Sequence, residues 1–186
     1  MAELRRRAVH VSGSLLPLAW LFGVVPWLWV EAVLAVGLVV AVGLEALRLT
    51  GRVEWWVFDE LTREYEQDNP AGYFLYAVGL AVTGLVFEPL VAAPAMLMLT
   101  LGDPFSGLLH SGGLSRKPVP VMAATFALCL VLAVTAGVPV LPAAIGALGA
   151  TLADGLKPVV RGYVIDDNIT MPTVAAVGMW IGLRVL

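Results

Sequence analysis

The stretch Pro89-Leu-Val-Ala-Ala-Pro-Ala-Met-Leu-Met-Leu-Thr-Leu-Gly102-Asp103-Pro104 decides how this chain is read. From 89 to 109 the only charged side chain is Asp103, in a run long enough to cross a bilayer, which takes about 20 apolar residues. An ionised carboxylate at membrane depth costs roughly 2.5–3.5 kcal/mol on insertion scales, so a chain that keeps one there needs a reason for it. Proline disfavours helical geometry in the residue before it. Asp103 is therefore expected at a helix break, with Pro104 starting the next helical segment. The plain alternative is an N-cap, although Ser or Asn would cap without the charge.

The rest of the chain is of the same kind. Of its 186 residues, 60% are hydrophobic and 13% charged, and the mean hydropathy is +0.90. A soluble domain of this size carries roughly a quarter charged residues. The expected fold is all-α: one integral-membrane domain over 1–186, a polytopic helix bundle of about seven transmembrane helices, plus one interfacial amphipathic helix. The spans fall near 8–25, 27–47, 71–87, 89–109, 118–136, 138–155 and 171–186, with short apolar turns around Pro26, Pro89 and Pro139 joining alternate pairs. Arg5-Arg6-Arg7 before an apolar run mimics a secretory signal, but apolar spans continue to the C-terminus, so the first is read as retained. A net charge of −3 with scattered basic residues excludes a nucleic-acid surface. The single cysteine, Cys129, excludes an internal disulfide and reads as a small buried apolar side chain.

With the N-terminus in the cytoplasm, ten of the eleven Lys and Arg residues fall on the inner side and only Arg184 outside. That asymmetry is the positive-inside pattern, and it places a multi-pass protein in the cell membrane with its chemistry on the cytoplasmic face. In the longest inner loop, 48–69, Val53, Val57, Leu61 and Tyr65 recur at helical spacing opposite Glu54, Glu60, Arg63 and Glu64, with Trp55 and Trp56 as interfacial anchors. This is the expected interfacial helix.

Three further polar clusters share that face. His110-Ser-Gly112-Gly113-Leu-Ser-Arg116-Lys117 offers close backbone approach, hydroxyls and two cations, which is chemistry suited to cradling phosphate. Asp166-Asp167-Asn168 offers adjacent oxygen ligands for a hard cation such as Mg2+. The alternative there is the start of a helix capped by Asn168 or Thr170, and both uses are compatible. Glu3, Arg6, Arg7 and His10 lie on one side of a helix entering the membrane.

Taken in order, Glu3-x-x-Arg6-Arg7-x-x-His10, Glu45-x-x-Arg48, Gly72-x3-Tyr76-x2-Gly79, Gly102-Asp103-x2-Ser106, Lys117, Asp154 and Asp166-Asp167-Asn168-x3-Pro172 resemble the polyprenol kinase family. That family includes dolichol kinases, phytol kinases and CTP-dependent diacylglycerol kinases, and its small members are about this size. Asp154 stands where the family commonly has Glu, and Ser106 where it usually has Ala. The resemblance implies transfer of the γ-phosphoryl group of CTP, or another nucleoside triphosphate, to the hydroxyl of a long-chain lipid alcohol. It implies a Mg2+ site at Asp103, Asp166, Asp167 and Asn168. Nucleotide contacts would come from Arg6, Arg7, Ser106, Gly112, Gly113, Arg116 and Lys117. Asp103, Lys117, Asp154 and His10 form the expected catalytic set, with Asp154 or His10 near the acceptor hydroxyl. The rival readings are a CTP-dependent cytidylyltransferase forming a CDP-activated lipid, a small transporter using Asp103 and Asp154, and a non-catalytic scaffold. The oligomeric state is open, a homodimer included.

Overall fold

In a computed structural model of the chain, the structure describes residues 2–51, 55, 58, 62, 69–110, 115–156, 159–160, 163–164 and 166–185. It is all-helical apart from one minimal antiparallel pairing. The helices are α1 (Ala2–Ser12), α2 (Leu15–Leu21), α3 (Trp27–Leu49), α4 (Gly72–Val86), α5 (Pro89–Leu97), α6 (Asp103–Leu109), α7 (Val119–Thr135), α8 (Val140–Leu156) and α9 (Asp167–Val185). Between α8 and α9, β1 (Val159–Val160) pairs with β2 (Tyr163–Val164), Val159 opposite Val164.

The apolar runs become helices for ordinary reasons, and turn chemistry ends them. Extended Pro26 precedes α3, Glu88 precedes α5 with Pro89 in its first turn, and Pro118 precedes α7. Each begins within a residue or two of the expected span. Among the described residues, two helices are long and apolar enough to cross a bilayer, Trp27–Leu49 and the continuous Pro89–Leu109, while Gly72–Val86, Val119–Thr135 and Val140–Leu156 are shorter apolar helices.

Two local expectations are corrected. The stretch 8–25 is not one helix: it breaks after Ser12, because Gly13 and Ser14 form a turn that Ser14 Oγ braces by donating to Val11 O at 2.7 Å. Nor is Asp103 at a break. The backbone stays helical from α5 through a π-helical turn, Met98–Gly102, into α6. The wider turn lets the helix pass Pro104, which lacks the N–H that a regular α-helix would use. The proposed amphipathic helix in 48–69 rests mostly on residues outside the described ones. Among those described, Trp55 is exposed and Phe58 buried, and their rings meet edge to face at 5.8 Å.

The core lies between α5, the π turn, α7, α8 and α9, and its side chains include Met96, Met98, Leu99, Cys129, Met171 and Met179. Small residues bring α8 and α9 backbone to backbone, since a Cβ on Gly178 would stand 3.3 Å from Gly146 Cα. Cys129 is fully buried, as its apolar setting suggested. The outer flanks are apolar too: Val36 and Val39 of α3 are 65% and 72% exposed, and Val131, Ile145 and Leu148 also face outward.

Candidate functional site

The π turn carries Asp103 into the bundle. A Cβ on Gly102 would come within 3.0 Å of Met171 Cε and 3.2 Å of Cys129 Sγ, so glycine lets this turn press against α7 and α9 without displacing either side chain. Asp103 then opens α6, and Ser106 one turn later donates its hydroxyl to Asp103 O at 3.0 Å. Asp154 sits in the last turn of α8, 1% exposed, and Asp167 begins α9. One oxygen from each of Asp103, Asp154 and Asp167 lies within 4.8 Å of the others.

Lys117 closes the cluster. Its backbone N–H donates to Gly155 O at 3.0 Å, which lays the side chain along the end of α8. Its ammonium donates to Asp154 Oδ1 at 2.5 Å and Ser106 Oγ at 2.6 Å, and stands 3.9 Å from Asp103 Oδ1. His10 approaches from α1, with Nδ1 3.7 Å from Asp103 Oδ2. Lys117 thus bridges Asp103 and Asp154 at the point where Asp167 meets them.

Fit to a cation can be tested on the donors. Mg2+ takes oxygen ligands at about 2.1 Å, so opposite ligands stand roughly 4.2 Å apart, and three carboxylate oxygens within 4.8 Å of one another need to close by at most about 0.6 Å to meet around one ion. The side-chain oxygen of Asn168 adds a second observation: it is buried and has no hydrogen-bond partner among the described residues.

The structure places the residues of the expected metal set differently from one another. Asp103 and Asp167 come together with Asp154. Asp166 caps the helix: its Oδ1 accepts the Asn168 N–H at 2.9 Å, and its carbonyl accepts the Thr170 hydroxyl at 3.0 Å. The cap of α9 is therefore Asp166, not Asn168 or Thr170. Of the expected phosphate contacts, Ser106 and Lys117 lie in the cluster. Arg7 spans from α1 to α6, where Nη2 donates to Gly107 O at 3.0 Å. Arg6 is half-buried and Arg116 exposed, while Gly112 and Gly113 lie outside the described residues.

Two supports carried no role in the sequence beyond their place in a motif. Tyr76 donates its hydroxyl to His10 O at 2.8 Å, and its ring meets the His10 ring edge-on at 4.3 Å. That contact needs Gly13, where a Cβ would overlap the Tyr76 hydroxyl. Gly79 does the same for α9, since a Cβ there would stand 2.0 Å from Asn168 O. Comparison of the chain with family models, with curated proteins and with solved structures finds no match.

Proposed function

We propose that this chain is a membrane-embedded lipid kinase that moves the γ-phosphoryl group of a nucleoside triphosphate onto a lipid hydroxyl. The observation that carries the reading is the meeting of Asp103, Asp154, Asp167 and Lys117 at the ends of different helices in a chain whose outer flanks are apolar. Phosphoryl transfer asks for this combination, because its transition state spreads negative charge over oxygens that cations must neutralise. CTP as donor, and a polyprenol, dolichol or related isoprenoid alcohol as acceptor, rest on the resemblance to the polyprenol kinase family.

In this reading the helices form a multi-pass bundle of about seven spans, the shorter ones completed by polar ends. The N-terminus and the site face the cytoplasm, where the nucleotide is. The acceptor approaches sideways from the bilayer, past Leu108, Leu109 and Val119, which are exposed close to the cluster in sequence. Its hydroxyl oxygen bonds to the γ-phosphorus, the bond from phosphorus to the β–γ bridging oxygen breaks, and the diphosphate leaves. The hydroxyl proton passes to His10, because Asp154 is shielded from the acceptor and would be a ligand of the cation. A Mg2+ ion held by Asp103, Asp154 and Asp167 would neutralise charge on the transferring group and on the leaving oxygen. Lys117 and Arg7 supply further positive charge for the phosphates.

The test is purified protein with Mg2+, a panel of lipid alcohols and CTP labelled in turn at the α- and γ-phosphates. A kinase puts γ-label into lipid. A cytidylyltransferase acting on a lipid phosphate puts α-label into lipid and γ-label into pyrophosphate, and that outcome would replace the reading. The topology is tested with Ser115→Cys in a Cys129→Ala background, which should react with an impermeant thiol reagent only from the cytoplasmic side.

A further inference from the structure

The Lys117 ammonium touches the cation site from inside. It lies 2.5 Å from Asp154 Oδ1 and 3.9 Å from Asp103 Oδ1, so two of the three carboxylates that would hold a divalent ion already face a positive charge. We propose that Lys117 and the divalent cation compete for Asp103 and Asp154, and that cation binding moves the ammonium off them and toward the nucleotide phosphates. The inference rests on the cation site read above, and concerns how that site is regulated.

The charges argue for exchange rather than coexistence. Three carboxylates balance one ammonium and one divalent ion in number, but not at these distances. An ammonium about 4 Å from a divalent ion, at the effective dielectric of a protein site, opposes it by more than a tenfold factor in affinity. The lysine has somewhere to go, because its stem is flexible and its three donors rotate, while its backbone stays fixed to Gly155 O. Ser106 Oγ, 2.6 Å away, is a neutral partner along the way. Asn168, next to Asp167, brings the buried unpaired oxygen that can make up the ligand count once a cation is present.

Coupling follows. A bare divalent ion must displace Lys117 without offering it a new partner, whereas an ion arriving with a triphosphate brings the oxygens the ammonium needs. Lys117 then makes cation and nucleotide favour each other, and the coupling is reciprocal. The site would bind a free divalent ion weakly and the metal–nucleotide complex more tightly.

The chain has two lysines, Lys117 and Lys157, so amine labelling reads the exchange directly. Full-length protein in detergent is titrated with Mn2+ by electron paramagnetic resonance, and brief acetylation is quantified by mass spectrometry with Lys157 as reference. Mn2+ should raise Lys117 labelling several-fold relative to Lys157. In Lys117→Met, Mn2+ alone should bind at least about tenfold more tightly than in the wild type, and a non-hydrolysable CTP analogue should no longer strengthen it by as much. Mn2+ binding with unchanged Lys117 labelling in the wild type would overturn the competition and leave the cation site standing. No Mn2+ binding would also overturn it, and the labelled-CTP assay would still decide the kinase reading separately. The labelling arm needs no variant, so a poorly folded Lys117→Met does not blunt the test.

Discussion

The chain buries two groups of charge, and they are built on opposite principles. At the junction of α3 and α4, Glu45 Oε1 accepts from Arg48 Nη2 at 2.7 Å and from Ala71 N at 2.8 Å. Its Oε2 accepts from Arg48 Nε at 2.9 Å and from the Tyr73 hydroxyl at 2.6 Å. Arg48 Nη2 also reaches Asn69 O at 2.6 Å. The anion meets a cation, and each oxygen of the carboxylate accepts two hydrogen bonds. At the other group, three carboxylates converge and one ammonium pairs with two of them, Asp103 and Asp154. A buried pair that satisfies itself is a joint, here tying the end of α3 to the start of α4. A cluster of converging carboxylates is held in place by the rest of the fold, and its oxygens suit a cationic ligand.

The largest expected effect separates the two groups at once. Asp103→Asn and Asp167→Asn should each lower the rate of γ-phosphoryl transfer by about a thousandfold or more while changing stability by less than about 1 kcal/mol, since each relieves like-charge repulsion. Parallel turnover and thermal-unfolding measurements check this. A variant that unfolds without losing specific activity would make the cluster another joint.

Lys117→Ala comes next. Losing a charge-assisted contact that strengthens in the transition state should cost about 3 kcal/mol, or roughly two orders of magnitude in kcat/KM for the nucleotide. Lys117→Arg should also be impaired, because a planar fork does not fit the compact space between Asp154 and Ser106.

Glu45→Gln should show the reverse balance. The buried site would lose the charge that holds Arg48, Ala71 and Tyr73 together, so unfolding in denaturant should report a loss of about 3 kcal/mol, with turnover per folded molecule within about twofold of the wild type. Near-normal stability with lost turnover would dissolve the contrast.

Gly79→Ala should shift the start of α9, where the added methyl meets Asn168 O. Because Asp167 moves with it, turnover should fall about tenfold, consistent with the rate cost of sub-ångström misplacement. Tyr76→Phe removes a single hydrogen bond to His10 O and should cost about 1 kcal/mol of stability. Its ring still packs on His10, so kinetics should change least of all.

How much of this was legible in the sequence follows from the range of the forces. Asp103, Lys117, Asp154 and Asp167 stood out because an apolar chain has few places for charge, and composition alone shows where those places are. The division of labour between Asp154 and Asp166 did not stand out. It depends on a two-residue capping bond at one and on a contact 37 residues away at the other. Helix positions were legible from apolar runs, but helix ends less so, since hydropathy averages across Gly13 and Ser14, where the backbone turns. Asp103 was expected at a break because Pro104 argues for one locally. The packing of Gly102 on Cys129 and Met171 is tertiary, and with it the helix continues through a π turn. The grip of Tyr76 on His10 joins residues 66 apart, a relation no local pattern carries.

The most direct test of the central claim, that the Asp103–Asp154–Asp167 cluster is a cation-dependent phosphoryl-transfer centre, is the rate of γ-label transfer from CTP to lipid alcohol by wild-type protein before and after divalent ions are stripped with EDTA. The expected result is transfer with Mg2+, its disappearance after chelation and its return when Mg2+ is restored in excess. Transfer that continues undiminished in EDTA, or no transfer to any lipid alcohol with Mg2+ present, would contradict the claim.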